Sequence, residues 1–188
     1  MGIFTEDYSM EIIVLGGGCF WCTEAIFKML KGIISVEPGY AGGNKENPTY
    51  EEVLAGNTGH AEVVRVTYDP KIISFNQILT VFFATHDPTT LNKQGNDVGE
   101  QYRSIILCAT KKQRVDARKF IEELNNSSRL GRRIVTHVSL LDIFYPAEEE
   151  HKDYLKKHPD QAYCRVTINP KLGKVKQKFK ELLENINE

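Results

Sequence analysis

A chain of 188 residues that is 41% hydrophobic and 26% charged has apolar material for one domain with a full core, not for two large ones. Its 24 basic and 25 acidic residues leave a net charge of −1, so bulk charge recruits neither nucleic acid nor an anionic membrane. No apolar run reaches membrane-spanning length, no secretory apolar region follows Glu6 and Asp7, and four cysteines are too few for a disulfide scaffold. The expectation is one domain over residues 1–188, in a reducing cytoplasm, with residues 1–9 flexible.

Glu11 to Leu15 reads as a strand and Thr23 to Lys31 as a helix. Between them lies Gly16-Gly17-Gly18-Cys19-Phe20-Trp21-Cys22. The glycines permit a tight turn, placing Cys19 where the helix opens. Free backbone N–H groups and the positive end of the helix dipole favour a thiolate there. Phe20 and Trp21 bring an apolar surface to the same spot. The spacing predicts redox or nucleophilic chemistry on a small apolar group.

Val63 to Tyr68 alternates as a strand with Val64, Val66 and Tyr68 on one face, and Glu62 shares their parity. Glu62 is therefore either a solvated strand end or a buried carboxyl of raised pKa that stays protonated and donates. Ser74 caps a helix whose Phe75, Ile78, Leu79, Phe82 and Phe83 recur at helical spacing. His86 to Gly99 is rich in turn residues and reads as a surface loop. Ser104 to Ala109 reads as a buried strand. Lys111 to Asn125 follows as a helix with Val115, Ile121 and Leu124 inward, then Ile134 to Leu141 as a strand and Pro146 to Lys157 as a charged helix or helical turn. The basic tail Lys171 to Lys180 interleaves Leu172, Val175 and Phe179, with Leu182, Leu183 and Ile186 beyond, and reads as an amphipathic helix docked on the body. Helices and strands mix without strict βαβ alternation, which points to an α+β sandwich.

Cys19 and Cys22 form a CxxC pair, suited to dithiol redox chemistry or to half a zinc site. No second CxxC or close histidine pair completes a metal site, Cys108 sits mid-strand and Cys164 stands alone. The glycine run lacks the GxGxxG of dinucleotide binding.

Seven segments, in order and spanning about Glu11 to Cys164, together resemble the A-type peptide methionine sulfoxide reductases. They are Gly17-Gly18-Cys19-Phe20-Trp21-Cys22, Gly39-Tyr40-Ala41-Gly42-Gly43, Asn47-Pro48-Thr49-Tyr50 and Gly59-His60-Ala61-Glu62. The others are His86-Asp87-Pro88-Thr89, Gln94-Gly95-Asn96-Asp97 through Gln101-Tyr102-Arg103-Ser104, and Phe144-Tyr145-Pro146-Ala147-Glu148. The resemblance implies a two-layer sandwich with a mixed, mainly antiparallel sheet, a ferredoxin-like core and a loop-rich C-terminal segment, with 165–188 as tail or helix.

It also implies roles. Cys19 would be the nucleophile, Phe20 and Trp21 the pocket for the substrate's S-methyl group, and Glu62 the acid to the sulfoxide oxygen. Tyr40 and Tyr102 would hydrogen-bond that oxygen, and Asp97 would order the site through water or the substrate backbone. These donors suit a sulfoxide oxygen, a strong acceptor with no proton of its own. Cys164 would be the principal resolving thiol, with Cys22 an alternative or a relay. Free and protein-bound methionine S-sulfoxide would be the substrates and thioredoxin the reductant, in a monomer with no metal or organic cofactor, repairing proteins after oxidative stress. Two positions depart from the commonest pattern: Cys22, where glycine is frequent, and Lys152, where glutamine is expected. Two other classes stay open: a general dithiol–disulfide oxidoreductase using Cys19 and Cys22, and a sulfoxide- or peptide-binding module with an inert thiol.

Overall fold

The computed structural model describes residues 9–184, so the flexibility expected for 1–8 and the docking expected of Ile186 lie outside the described residues. Strand β1 (Glu11–Gly16) lies between β3 (Ala61–Tyr68) and β6 (Ile105–Cys108), antiparallel to both. Beyond β3 come β2 (Ile33–Ala41) and β8 (Phe144–Pro146), and beyond β6 comes β7 (His137–Leu140). The six-stranded order is β7-β6-β1-β3-β2-β8, antiparallel except for the parallel β6–β7 pair. It is a mixed α/β structure.

Helix α1 (Phe20–Phe27) and helix α3 (Phe75–Thr85) put Phe20, Ile26, Phe27, Ile78, Leu79 and Phe82 against Ile13, Leu15, Val64, Val66 and Tyr68 of the sheet. Burial of each such side chain stabilises the fold by roughly 2 kcal/mol, so this face supplies most of the core. The opposite face, with Val14, Ala41, Ala61, Val63, Ile105 and Leu107, is covered by Leu141 and Phe144. As expected, Ser74 caps α3, and Gln77 completes a reciprocal capping box with it.

Helix α1 opens three residues before the expected Thr23, with Cys19 as its N-cap, and ends at Phe27. Strand β2 escapes a reading by alternation because Pro38 and Gly39 interrupt it. Helix α2 (Tyr50–Leu54) is a single turn made by the Thr49–Glu52 capping box. His86 to Gly99 is no plain surface loop. It holds the two-residue hairpin β4 (Lys93–Gln94) and β5 (Asp97–Val98), and buried Gln94 accepts from the Asp87 amide.

Helix α4 (Lys111–Asn126) turns Gln113, Ala117, Phe120, Ile121 and Leu124 inward, whereas Val115 is 62% exposed, contrary to expectation. Val115 lies two residues from both Gln113 and Ala117, a half-turn off the inward stripe. The expected helix over Pro146 to Lys157 divides into the end of β8, a 3-10 turn at Glu149–His151 and the short helix α5 (Tyr154–Lys157). The C-terminal segment is helical rather than loop-rich. A wide helical turn at Cys164–Ile168 runs into α6 (Asn169–Lys178), which docks Leu172 and Val175 as the amphipathic pattern requires. Among the described residues no helix is long and apolar enough to cross a membrane.

Candidate active site

The site forms where β1 turns into α1. Gly18 takes φ +92° against the Gln94 side chain, a conformation that lets the chain reverse and set Cys19 at the N-cap. Cys19 is 8% exposed. The first helical amide, Phe20 N–H, donates to Glu62 Oε2 at 3.0 Å, which brings the carboxyl to the residue that follows Cys19. Glu62 reaches this point from β3, on the helix-facing side that its parity with Val64 and Val66 requires.

Burial raises Glu62 to about 8, aided by the Asp97 charge and opposed by the Phe20 amide and Cys19. Glu62 is therefore a neutral acid at pH 7, the second of the two readings open from sequence. Cys19 corrects the expectation of a helix-activated thiolate. Burial, then the Glu62 and Cys22 charges, push it well above its ordinary value, although hydrogen bonds from Tyr163 and the Trp21 amide pull the other way. An eight-residue helix whose first amide is engaged by Glu62 does not offset that desolvation.

Phe20 is buried and stands 5.8 Å from the Tyr40 ring, 6.4 Å from Tyr50 and 6.3 Å from Trp21. Tyr40 departs from its expected role. It faces Glu62 directly across the β2–β3 pair, yet its hydroxyl donates to Glu148 Oε2 at 2.7 Å. Tyr50, given no role from sequence although it closed one of the matched segments, is, like Tyr102, a phenol that Glu62, Cys19 and Asp97 all influence. The hydroxyls of Tyr50 and Tyr102 make no hydrogen bond to the described residues. Burial, then the Glu62 charge, raises both phenols, so both are neutral donors.

Asp97, on the β5 hairpin, accepts from the Tyr163 hydroxyl at 2.9 Å. That hydroxyl also lies 3.9 Å from Cys22 Sγ, and it bears on the Cys19 thiol. Sequence reading missed Tyr163, whose only signal is its place before Cys164. Cys22 and Cys164 pack together with Ile168 in one small apolar cluster. Cys22 is also the thiol whose charge bears on Cys19. All four cysteines are free and buried, and burial raises Cys108, at the end of β6, to about 11. Among the described residues no group of three or more His, Cys, Asp or Glu gathers to hold a metal.

A sequence model of the family described as peptide methionine sulfoxide reductase matches residues 11–183. The chain belongs to the peptide methionine sulfoxide reductase family. A peptide methionine sulfoxide reductase MsrA of Saccharolobus solfataricus is 54% identical over 170 residues, 90% of this chain and 95% of that protein. Among solved structures, Mxr1 from Saccharomyces cerevisiae in reduced form superposes with a TM-score of 0.78 at 36% identity, covering 86% of this chain and 94% of that one. Mxr1 in complex with Trx2 gives a TM-score of 0.56 at 28% identity, covering 80% of this chain and 91% of that one. As a methionine sulfoxide reductase, the chain is a thiol-dependent enzyme.

Proposed function

We propose that this enzyme reduces methionine S-sulfoxide, free and within proteins, with Cys19 as nucleophile and Glu62 as acid. One observation carries the reading: a buried carboxyl that is neutral at pH 7 is held by the Phe20 amide next to the buried Cys19 thiol, beside the Phe20 and Trp21 rings. The Cys19 sulfur attacks the sulfoxide sulfur while Glu62 protonates the oxygen. Tyr50 and Tyr102 donate to the same oxygen, with Tyr50 taking the part expected of Tyr40. Asp97 orders the substrate backbone.

Two electrons pass from Cys19 to the sulfoxide sulfur. The oxygen ends on Cys19 as a sulfenic acid, the thioether leaves, and the thiol proton restores Glu62. The Cys22 thiol then condenses with the sulfenic acid, releasing water and leaving a Cys19–Cys22 disulfide. Cys164 attacks Cys22, frees Cys19 and leaves a Cys22–Cys164 bond for thioredoxin's dithiol to reduce. Support for this relay is that Cys22 packs with Cys164 and is the thiol whose charge bears on Cys19; support for thioredoxin is the Trx2 complex of Mxr1. It makes Cys22 the relay rather than a mere alternative to Cys164.

The fold reads as a ferredoxin-like two-layer sandwich. Its βαββαβ order, β1-α1-β2-β3-α3-β6, lies in the sheet as β6-β1-β3-β2. Four free thiols suit a monomeric repair enzyme of a reducing cytoplasm, needing no metal or organic cofactor.

The test is reduction of the S- and R-sulfoxides of methionine with dithiothreitol and with a thioredoxin system, measured as methionine released. Reduction of the S form by both reductants is expected. No methionine with either reductant sinks the reading; release with dithiothreitol alone removes only the thioredoxin step. Disulfide exchange without sulfoxide reduction would instead mark a general dithiol oxidoreductase.

A further inference from the structure

We propose that His151, held by Glu148, is a positioning residue that fixes the Trp21 indole as a wall of the substrate's S-methyl pocket. The inference rests on the proposed reduction and adds to it a determinant of substrate choice.

The hydrogen bonds force the arrangement. Trp21 Nε1–H donates to His151 Nδ1 at 3.3 Å. An indole nitrogen can only donate, so His151 must keep its lone pair at Nδ1 and its proton at Nε2. That Nε2 is buried, has no hydrogen-bond partner among the described residues, and faces Glu148 Oε2 at 3.9 Å. Burial holds His151 below its ordinary pKa against the opposing charges of Glu148, Glu150 and Glu51. The neutral, acceptor form that Trp21 needs is therefore the resting form.

Glu148 supplies the anchor. Its Oε2 accepts from the Tyr40 hydroxyl at 2.7 Å and its Oε1 from the Tyr50 amide at 2.8 Å. The turn that follows is fastened at its far end, where the Asp153 amide donates to buried Glu24 Oε1 at 2.9 Å and Lys28 bridges Glu24 and Asp153. His151 is thus held from β2 and α2 on one side and from α1 on the other. Its ring lies 4.3 Å from Tyr50, 5.4 Å from Phe20 and 5.8 Å from Trp21, in contact with three walls of the pocket.

Without that bond nothing polar fixes the indole in its plane. Tyr154 stacks flat on it at 3.6 Å, but a parallel stack leaves sliding and in-plane rotation open. A pocket for one methyl group needs a fixed wall, because an extra methylene is discriminated only by close contact.

The experiment compares wild type, His151→Phe, His151→Asn, His151→Gln, Trp21→Phe and the His151→Phe/Trp21→Phe pair on methyl and ethyl sulfoxides. His151→Phe should raise KM for methionine S-sulfoxide about tenfold, the loss of one buried hydrogen bond. It should also relax the preference for methyl over ethyl severalfold, while the single-turnover rate at saturation stays within about twofold. His151→Asn, whose amide falls short of the indole, should behave alike and serves if the Phe variant does not fold. His151→Gln keeps an acceptor within reach and should recover most of the KM. In the Trp21→Phe background, His151→Phe should add nothing.

Trp21 is the chain's one tryptophan, so its emission reads the bond without any turnover. The emission maximum should move in His151→Phe and return towards wild type in His151→Gln. An unmoved emission, or an unchanged KM and methyl preference in folded His151→Phe and His151→Asn, overturns the proposal. A wild type that reduces no sulfoxide overturns the proposed function, and the pocket role falls with it; the emission arm then still tells whether His151 holds the indole.

Discussion

The Tyr163 hydroxyl donates to Asp97 at 2.9 Å, tying the segment that carries Cys164 to the hairpin that borders Cys19. Cys164 itself has no exposed surface, so a reductant reaches it only when this segment loosens. Tyr163→Phe removes the bond and keeps the ring against Trp21. Alkylation of Cys164 in the reduced protein should quicken about tenfold, the population gain from losing one hydrogen bond to a charged group. An unchanged alkylation rate would mean that the tie does not hold the segment.

Cys19→Ser should leave less than about one-thousandth of the single-turnover rate, because a hydroxyl oxygen is a far weaker nucleophile than a thiol sulfur and loses its proton far less readily to Glu62. Mass spectrometry of sulfoxide-treated protein should find no oxidised residue 19. Substantial methionine release from that variant would remove Cys19 as the nucleophile.

Glu62→Gln should slow the single turnover by about a thousandfold, since an amide donates a hydrogen bond but yields no proton. Glu62 acts as an acid only while protonated, so the wild-type rate should fall as pH rises through about 8. That alkaline limb should be missing from the Glu62→Gln profile. Its persistence there would assign the limb to another group.

The relay orders the disulfides. After one equivalent of sulfoxide without reductant, peptide mapping should find Cys22–Cys164 in wild type and Cys19–Cys22 in Cys164→Ser. Cys22→Ser should stall as a sulfenic acid after one turnover. A Cys19–Cys164 bond with continued thioredoxin-linked turnover in Cys22→Ser would remove Cys22 from the path.

His86 makes the loop behind Cys19 acid-sensitive. It packs on Gly17, its Nδ1–H donates to the Phe82 carbonyl and its Nε2 accepts from Ser104, both at 2.7 Å. Burial, with help from Lys171, lowers it to about 4 from 6.5. With the folded value below the unfolded one, its stabilisation is complete above pH 6.5, is lost as pH falls towards 4, and changes no further below. The loss is roughly 3 kcal/mol. Urea midpoints between pH 7 and 4.5 should fall more steeply in wild type than in His86→Gln; equal slopes would acquit His86.

Some of this was legible along the chain because its physics is local. Glycines before Cys19 dictate a turn into a helix start, Ser74 and Gln77 cap α3 by their spacing, and the parity of Glu62 with Val64 and Val66 sends it inward in any half-buried strand. What sequence leaves open is decided between segments far apart. Tyr40 is the donor that the resemblance implies, until Glu148, about a hundred residues later, accepts its hydroxyl hydrogen bond and leaves the unassigned Tyr50 hydroxyl to the site. Cys19 sits at a helix start that predicts a lowered pKa, but how much water its surroundings exclude is set by tertiary packing, and desolvation outweighs the dipole. The same holds for Cys22 and Cys164. Spacing alone puts Cys22 beside Cys19; only the docking of the Cys164–Ile168 turn on α1 seats the third thiol against it.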